Sequence, residues 1–453
     1  MSARKWGQAG SRSGSRWLQL SSGTRRPKPG TIPDAVSDFS AMTRRADHPT
    51  NADVDLVTGE FWARNPHETL TWMRDNAPVY WDDAGQVWGI TRYHDVKHIS
   101  RAPDTWSSAG GIRPRVPALP MMIDMDDPQH WQRRKLVNRG FTPRMVRDQE
   151  AKIRRVCDDL IDRVCEKGQC DFVWDIAAPL PLIMISDALG VAPEDRDTLL
   201  HWSDTLLRGL VGISDDNPAM LAAAEAFEEY SDYASKVVAD RRAEPRDDLM
   251  SVLVHAEVDG DRLDHDSVVH ESLLILVGGD ETTRHVISGG MYQLTLHPEQ
   301  WRALVADRTV LDSAVEEMLR WVSPIKNMAR TLTRDTTYGG QVMAEGDEVL
   351  LIYPSANRDA AVFDDPFRFD IRRTPNEHLA FGFGSHFCLG NSLARLELNV
   401  MFDRLADRLP DLRVSDEIGD EADLHWRAAN FVSGYERMPV VFTPAAPVGT
   451  ATP

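Results

Sequence analysis

The stretch Phe381-Gly-Phe-Gly-Ser-His-Phe-Cys-Leu-Gly390 decides how the rest of the chain is read. One cysteine sits in a glycine-rich turn, and a helix-forming run, Asn391-Ser-Leu-Ala-Arg-Leu-Glu-Leu398, follows at once. Gly382, Gly384 and Gly390 let the backbone turn tightly and approach a bulky planar partner. Amide N–H groups and a helix N-terminus around Cys388 favour a thiolate over a thiol. A rigid thiolate with His386 just before it suits an axial ligand of haem iron. The alternative for the cysteine alone is packing in a helix-entry turn, because cysteine is among the most buried residue types.

A second stretch answers the first. The run Leu263 to Leu296 predicts a helix of about 50 Å, long enough to cross a whole domain. Its apolar part, Leu273-Leu-Ile-Leu-Val277, is interrupted by Gly278-Gly-Asp-Glu-Thr-Thr-Arg284. Each glycine costs a helix about 1 kcal/mol, and polar groups in a buried helix oppose burial; such conflicts mark functional sites. Gly278 and Gly279 leave room for a flat ring and a small ligand such as O2. Thr282 is placed to bond back to a backbone carbonyl or to a water in a widened turn, and Glu281 to feed protons toward that water.

The pattern Phe-x-x-Gly-x-His-x-Cys-x-Gly, filled by Phe381, Gly384, His386, Cys388 and Gly390, resembles the haem-binding loop of the cytochrome P450 superfamily. The resemblance covers residues 52 to 445 with its landmarks in order. It implies a mainly α fold with small β-sheets, with haem b held between the long central helix and the helix after Cys388. Cys388 is then the axial ligand. Gly278, Gly279, Phe381, Gly382, Gly384 and Gly390 surround the ring, and Glu281 with Thr282 is the acid–alcohol pair that delivers protons. His130 and Arg134, four apart on one helical face, become propionate partners together with Arg330 and His386. Neighbouring Arg133, Lys135 and Arg139 are expected to stay exposed and to form a positive patch for an acidic electron carrier. Glu-x-x-Arg occurs at Glu281/Arg284, Glu299/Arg302 and Glu317/Arg320. Only the last precedes Arg330 and the cysteine loop in the expected order. With Arg368 of Pro366-Phe-Arg-Phe369 it is read as a buried ionic triad, although Phe367 stands where the family has an acid.

A narrower resemblance follows from Gly278-Gly-Asp-Glu-Thr-Thr-Arg-His, Ala109-Gly-Gly-Ile-Arg-Pro, Leu119-Pro-Met-Met-Ile-Asp-Met-Asp-Asp-Pro and Ala429-Asn-Phe-Val-Ser-Gly. These look like the actinobacterial steroid C26-monooxygenases. The implied activity is hydroxylation of a terminal side-chain methyl of cholesterol or cholest-4-en-3-one with O2, and further oxidation toward the acid, as in cholesterol catabolism. No flavin or nicotinamide domain is visible, so a ferredoxin and its NAD(P)H-dependent reductase are implied as partners. Expected substrate contacts are Met121, Met122, Ile123, Leu206, Leu207, Leu210, Val211, Phe431 and Val432; methionine and leucine repack around flexible hydrocarbon. The competing readings are the same chemistry on a terpenoid, fatty acid or branched lipid, a peroxide-driven peroxygenase, and a non-catalytic haem-binding protein.

Composition agrees. The chain has 453 residues, a formal charge of −19 and 42% apolar residues. That charge opposes general nucleic-acid binding, and no apolar run reaches the length of a membrane span. Cys157, Cys165 and Cys170 match no zinc spacing and no secretory signal precedes them, so reduced packing cysteines in a cytoplasmic protein are expected. Residues 1–51 read as a disordered basic extension, with translation in the cell expected to begin at Met42; 52–445 read as a single domain and 446–453 as a tail.

Overall fold

Apolar spacing and caps set the helices that position the site. The computed structural model describes residues 49–210, 218–258, 260–417 and 424–449. The basic extension up to residue 48, Met42, Val211 and the connection 212–217 lie outside the described residues.

The helices that form the site or pack against those that do are α1 (Gln129–Val137), α2 (Glu150–Asp162), α3 (Pro179–Ala188), α4 (Arg196–Gly209), α5 (Pro218–Ala243), α6 (His265–Leu296), α7 (Leu311–Val322) and α8 (Asn391–Arg408). Helix α6 is 32 residues long and begins at Asp264, whose carboxylate accepts the Ser267 N–H at 2.7 Å. That bond satisfies an otherwise orphaned donor of the first turn. The helix runs unbroken through Gly278 and Gly279, so the expected widened turn is not seen. Packing on several sides outweighs the glycines' low propensity, because a buried helix draws its stability from tertiary contacts.

Its two halves sit in different cores. The first half (Val268, Leu273, Leu276) packs with Leu199 and Trp202 of α4 and with Tyr230 and Val238 of α5. The second half (Val286, Ile287, Met291) packs with Cys157 of α2, Met318 of α7, and Met401 and Phe402 of α8. Each fully buried large apolar side chain contributes about 1.5–3 kcal/mol, so α6 is held firmly at both ends. The polar segment between lies at the junction.

A five-stranded sheet flanks the helices in the order β1 (Val79–Asp82), β2 (Val87–Ile90), β6 (Glu348–Ile352), β5 (Asn327–Leu332), β3 (Trp106–Ser107). Only the β2–β6 pair is parallel. A smaller sheet runs β7 (Arg413–Val414), β8 (Pro439–Val441), β4 (Gln169–Asp171). Val79-Tyr-Trp-Asp82, Val87-Trp-Gly-Ile90 and Glu348-Val-Leu-Leu-Ile352 are rich in the β-branched and aromatic residues that favour strands. Strand β5 was not legible: Asn327-Met-Ala-Arg-Thr-Leu332 is buried along most of its length and shows no strict alternation. Cys157, Cys165 and Cys170 are free thiols. Burial pushes the first well up and Cys170 to about 12, which suits packing roles. Among the described residues no helix is long and apolar enough to cross a membrane.

Candidate active site

A cavity of about 1530 Å³, counting its mouth, opens between the middle of α6, the end of α7, β5 and the 381–390 loop. Its wall includes Cys388, Gly278, Thr282, His130, Arg134, Arg330 and His386, so residues far apart in sequence meet there. Its wall is mostly apolar with a few basic groups at one rim, the kind of lining that suits a flat cofactor with an apolar substrate beside it.

The loop is held by its own backbone. The Cys388 N–H donates to the Phe381 carbonyl at 2.9 Å, and Asn391 Nδ2 donates to the Cys388 carbonyl at 2.7 Å. Gly384 has φ +78°, and a Cβ there would run into the Ser100 carbonyl; only glycine meets both demands. Burial pushes the Cys388 thiol up, while the amides of Gly390 and Asn391 and the guanidinium groups of Arg134 and Arg395 pull it down. Burial wins. The expectation that the turn alone favours a thiolate is therefore corrected: the N–H groups are present, but coordination to a cation is what deprotonates a buried thiol outright.

Basic groups gather on one rim. The rings of His130 and His386 lie 4.1 Å apart. Arg134 donates to the carbonyls of Ser385, at 3.2 Å, and Phe387, which pins the cysteine loop to α1. Arg330 is buried and donates only to the Ala329 carbonyl, at 2.6 Å, among the described residues. Burial, then the charges of Arg330, His130 and Arg134, lowers His386 to about 3. Of these four groups only His130 has a carboxylate partner among the described residues, Asp127 at 3.2 Å. A buried guanidinium at Arg330 and a half-buried one at Arg134, both without carboxylates among the described residues, fit an anionic ligand, as the two propionates of haem would be. A Cβ at Gly278 would meet nothing within 4 Å, and neither would one at Gly390, so backbone faces the cavity on both sides. These residues fit a haem.

Over the sulfur, Thr282 Oγ1 donates to the Gly278 carbonyl at 2.9 Å. Gly279 lines the cavity too, but a Cβ there would press on Ile185 of α3 at 3.0 Å, so this glycine also serves helix packing. Glu281 does not line the cavity. Its Oε2 takes Arg284, Arg427 at 3.0 Å and His285 at 3.6 Å, and Arg427 continues to Asp204 of α4. Burial opposes ionisation of Glu281, but Arg284, His285 and Arg427 outweigh it and hold the carboxyl down at about 2. Asp280 is its opposite. It is fully buried, neither oxygen has a partner among the described residues, and burial with the charge of Glu281 pushes it up to about 8. The sequence offered no way to see that the two neighbouring acids differ, because Arg427 is brought in from far along the chain.

Behind the loop, the triad has a different third member. Glu317 pairs with Arg320 at 2.7 Å and with Arg373 at 3.1 Å. Arg368 instead reaches outward to Asp370 at 2.8 Å, and it is 63% exposed. Its backbone carbonyl faces inward and accepts from Arg373 at 2.8 Å and Arg320 at 3.4 Å. A peptide carbonyl satisfies the arginines there without a fourth charge. Arg133 is corrected too: it pairs with the buried Glu271 of α6 at 3.2 Å, while Lys135 lies over the Trp131 ring and Arg139 is exposed.

The rest of the wall is apolar. Met122 and Ile123 line it as expected; Met121, Leu206, Leu207, Leu210, Phe431 and Val432 do not. Leu207, Leu210, Phe431 and Val432 form a small cluster behind Ile112, Ile325 and Met328, which do line it. Those three sit in a loop and around β5, whose course the sequence did not disclose.

Comparison with known proteins agrees with this geometry. The cytochrome P450 family profile matches residues 215–408. A steroid C26-monooxygenase of Mycolicibacterium smegmatis is 55% identical over 88% of this chain and 98% of its own length. A methyl-branched lipid omega-hydroxylase of Mycobacterium bovis is 38% identical over 86% of this chain and 95% of its own. Among solved structures, a cytochrome P450 of Bacillus megaterium in complex with corticosterone superposes with a TM-score of 0.75 at 33% identity, covering 84% of this chain and 98% of that one. With the cysteine loop, the basic rim and the glycine pair of α6 around one cavity, this chain belongs to the cytochrome P450 family.

Proposed function

We propose that the protein is a haem-thiolate monooxygenase that hydroxylates the terminal side-chain methyl of cholesterol or cholest-4-en-3-one. The net reaction consumes the substrate, O2, two electrons and two protons, and yields the primary alcohol and water; repetition oxidises the same carbon toward the acid. One observation carries the reading: Cys388 and the open Gly278 share one largely apolar cavity. The 55% identity to a steroid C26-monooxygenase supplies the substrate class.

Cys388 would hold haem b through its sulfur, and His130, Arg134, Arg330 and His386 would hold its propionates. When bound, the haem supplies electron storage and oxygen activation, with thiolate donation favouring O–O cleavage. The protein's share is positioning and protons. Gly278 keeps side chains away from the small ligand, Thr282 orients its hydroxyl from the Gly278 carbonyl, and the apolar wall excludes water. Glu281 sits one residue from Thr282 in a charge chain that reaches half-buried Asp204. We read it as a link between cavity and solvent, with the carboxylate exchanging partners to pass a proton.

Electrons come from a ferredoxin served by an NAD(P)H-dependent reductase, in the cytoplasm. Exposed Arg139 and Phe387, on the side where α1 meets the cysteine loop, support an acidic carrier docking there. A methyl-branched lipid is the second reading, favoured by the 38% identical hydroxylase. Optical titration of the holoprotein tests the choice. Cholest-4-en-3-one is expected to shift the iron spin state at lower concentration than a methyl-branched fatty acid. The opposite order, or no shift with the sterol, would overturn the sterol assignment.

A further inference from the structure

Arg113, in the stretch Ala109-Gly-Gly-Ile-Arg-Pro, is a buried cation that no carboxylate answers. It is 2% exposed, and all its hydrogen bonds among the described residues go to two asparagines. Nη1 donates to Asn327 Oδ1 at 2.6 Å and to the Asn327 carbonyl at 3.2 Å. Nη2 donates to Asn430 Oδ1 at 2.9 Å and to the Asn430 carbonyl at 3.4 Å. The Phe431 ring lies against the guanidinium, 4.6 Å away at its centroid. Asn430 is 317 positions further along the chain, in the stretch Ala429-Asn-Phe-Val-Ser-Gly.

The chemistry of the partners explains why they are amides. Asn327 Nδ2 donates onward to the Asn430 carbonyl at 2.9 Å, and Asn430 Nδ2 donates to the Val57 carbonyl. A carboxylate in either place would accept from Arg113 but could not donate onward; an amide does both. The planar fork matters equally, because it presents donors to both asparagines at once, where an ammonium is a point charge. Burying a cation without a counter-charge is costly, and packing alone does not call for it.

What the contact fixes is the cavity. Ile112, next to Arg113, and Met328, next to Asn327, line the wall, while Phe431, next to Asn430, packs behind them. Backbone bonds run the same way: the Ala329 N–H donates to the Ile112 carbonyl at 2.8 Å, and the Lys326 N–H to the Phe431 carbonyl at 2.7 Å. Arg113, Asn327 and Asn430 do not line the cavity themselves. One guanidinium thus ties together apolar wall pieces that come from separate parts of the chain.

We propose that Arg113 is a positioning residue for the substrate. Through Asn327 and Asn430 it sets the spacing of Ile112, Met328 and Phe431, and so decides which carbon of the substrate's side chain is presented for reaction, without touching substrate or cofactor. The proposal rests on the monooxygenase reading for the substrate, but not for the clamp itself.

Optical titration and product analysis of the holoprotein test it. Arg113→Lys keeps the charge and loses the fork. The variant should retain haem and bind imidazole, which needs only the iron, within about twofold of the parent, while cholest-4-en-3-one should need about tenfold more for the same spin shift. A larger share of the alcohol should carry its hydroxyl on the carbon next to the terminal methyl. Asn430→Ala removes one arm of the clamp and leaves the cation in place. It should give the same pattern to a smaller degree, and adding it to Arg113→Lys should change little further, because both act through one contact. If Arg113→Lys does not fold, Asn430→Ala carries the test. A folded Arg113→Lys protein with the parent's sterol affinity and product position would overturn the proposal. So would imidazole binding that weakens in step with sterol binding, since that marks a cavity loosened throughout. A parent that shows no spin shift with the sterol fails the substrate reading instead, and the same variants are then compared with a methyl-branched fatty acid, where the clamp should again separate lipid from imidazole.

Discussion

Two helices carry the pattern Glu-x-x-Arg and bury it completely, with opposite results. In α7, Glu317 accepts from Arg320, Arg373, Asn376 Nδ2 at 3.1 Å and the Asp370 N–H at 2.9 Å. Arg320 spends its remaining donors on the carbonyls of Asn357, at 2.8 Å, and Pro366, at 2.9 Å. Every charged atom there is satisfied. In α6, Glu281 and Arg284 make the same pair, yet Asp280, Glu281, Arg284 and His285 together leave buried oxygens and nitrogens without hydrogen-bond partners among the described residues. Leaving a buried polar atom unmade costs about 1–3 kcal/mol, so α6 tolerates a cost that α7 avoids. The satisfied cluster braces the loop that carries Cys388, and the unsatisfied one keeps groups that can change partner beside the cavity.

Variants can break or sharpen this contrast. Removing the acid of the braced cluster should have the largest effect. Glu317→Ala strands two buried arginines and should cost about 3–5 kcal/mol, read by denaturant unfolding, with loss of haem absorbance at lower denaturant. Arg373→Ala leaves Glu317 paired with Arg320 and should cost about 2 kcal/mol in the same assay.

The working cluster should respond in function rather than stability. Thr282→Ala is expected to unfold within about 1 kcal/mol of the parent but to divert consumed O2 from alcohol to peroxide. Unchanged coupling would remove Thr282 from the proton path. Asp280→Asn separates the clusters by pH. An acid whose folded pKa is raised binds more protons folded than unfolded, so its stability contribution falls as pH rises from about 4 to about 8. The variant should therefore gain melting temperature relative to the parent over that window, and no such trend should appear for Thr282→Ala. Arg368→Ala should be the smallest, within about 0.5 kcal/mol, because an exposed ion pair contributes little. A loss as large as that of Arg373→Ala would contradict the revised triad.

The contrast also explains what could be read from the sequence. Local features were legible: the loop glycines, the length of α6, and the i, i+3 pair of α7 follow from backbone geometry and helix spacing alone. Long-range partners were not. Arg373 replaces Arg368 because the chain turns after Phe369, and the sequence pattern shows only which arginine is near, not which points inward. Arg427 reaches Glu281 across 146 positions of chain, so nothing local announces that Glu281 is ion-paired and Asp280 is not. The cavity wall was missed for the same reason. Met328 lies at the start of β5 and Ile325 just before it, and the strand's buried, non-alternating residues give no periodic signal.

Turnover with isotope-labelled O2 tests the central claim most directly. Holoprotein, a ferredoxin, its reductase and cholest-4-en-3-one are incubated under labelled O2, and the product is analysed by mass spectrometry. The account predicts one labelled oxygen on a terminal side-chain methyl, dependent on the ferredoxin. Label on the sterol rings, or the same product from peroxide alone with none from the ferredoxin system, would contradict it.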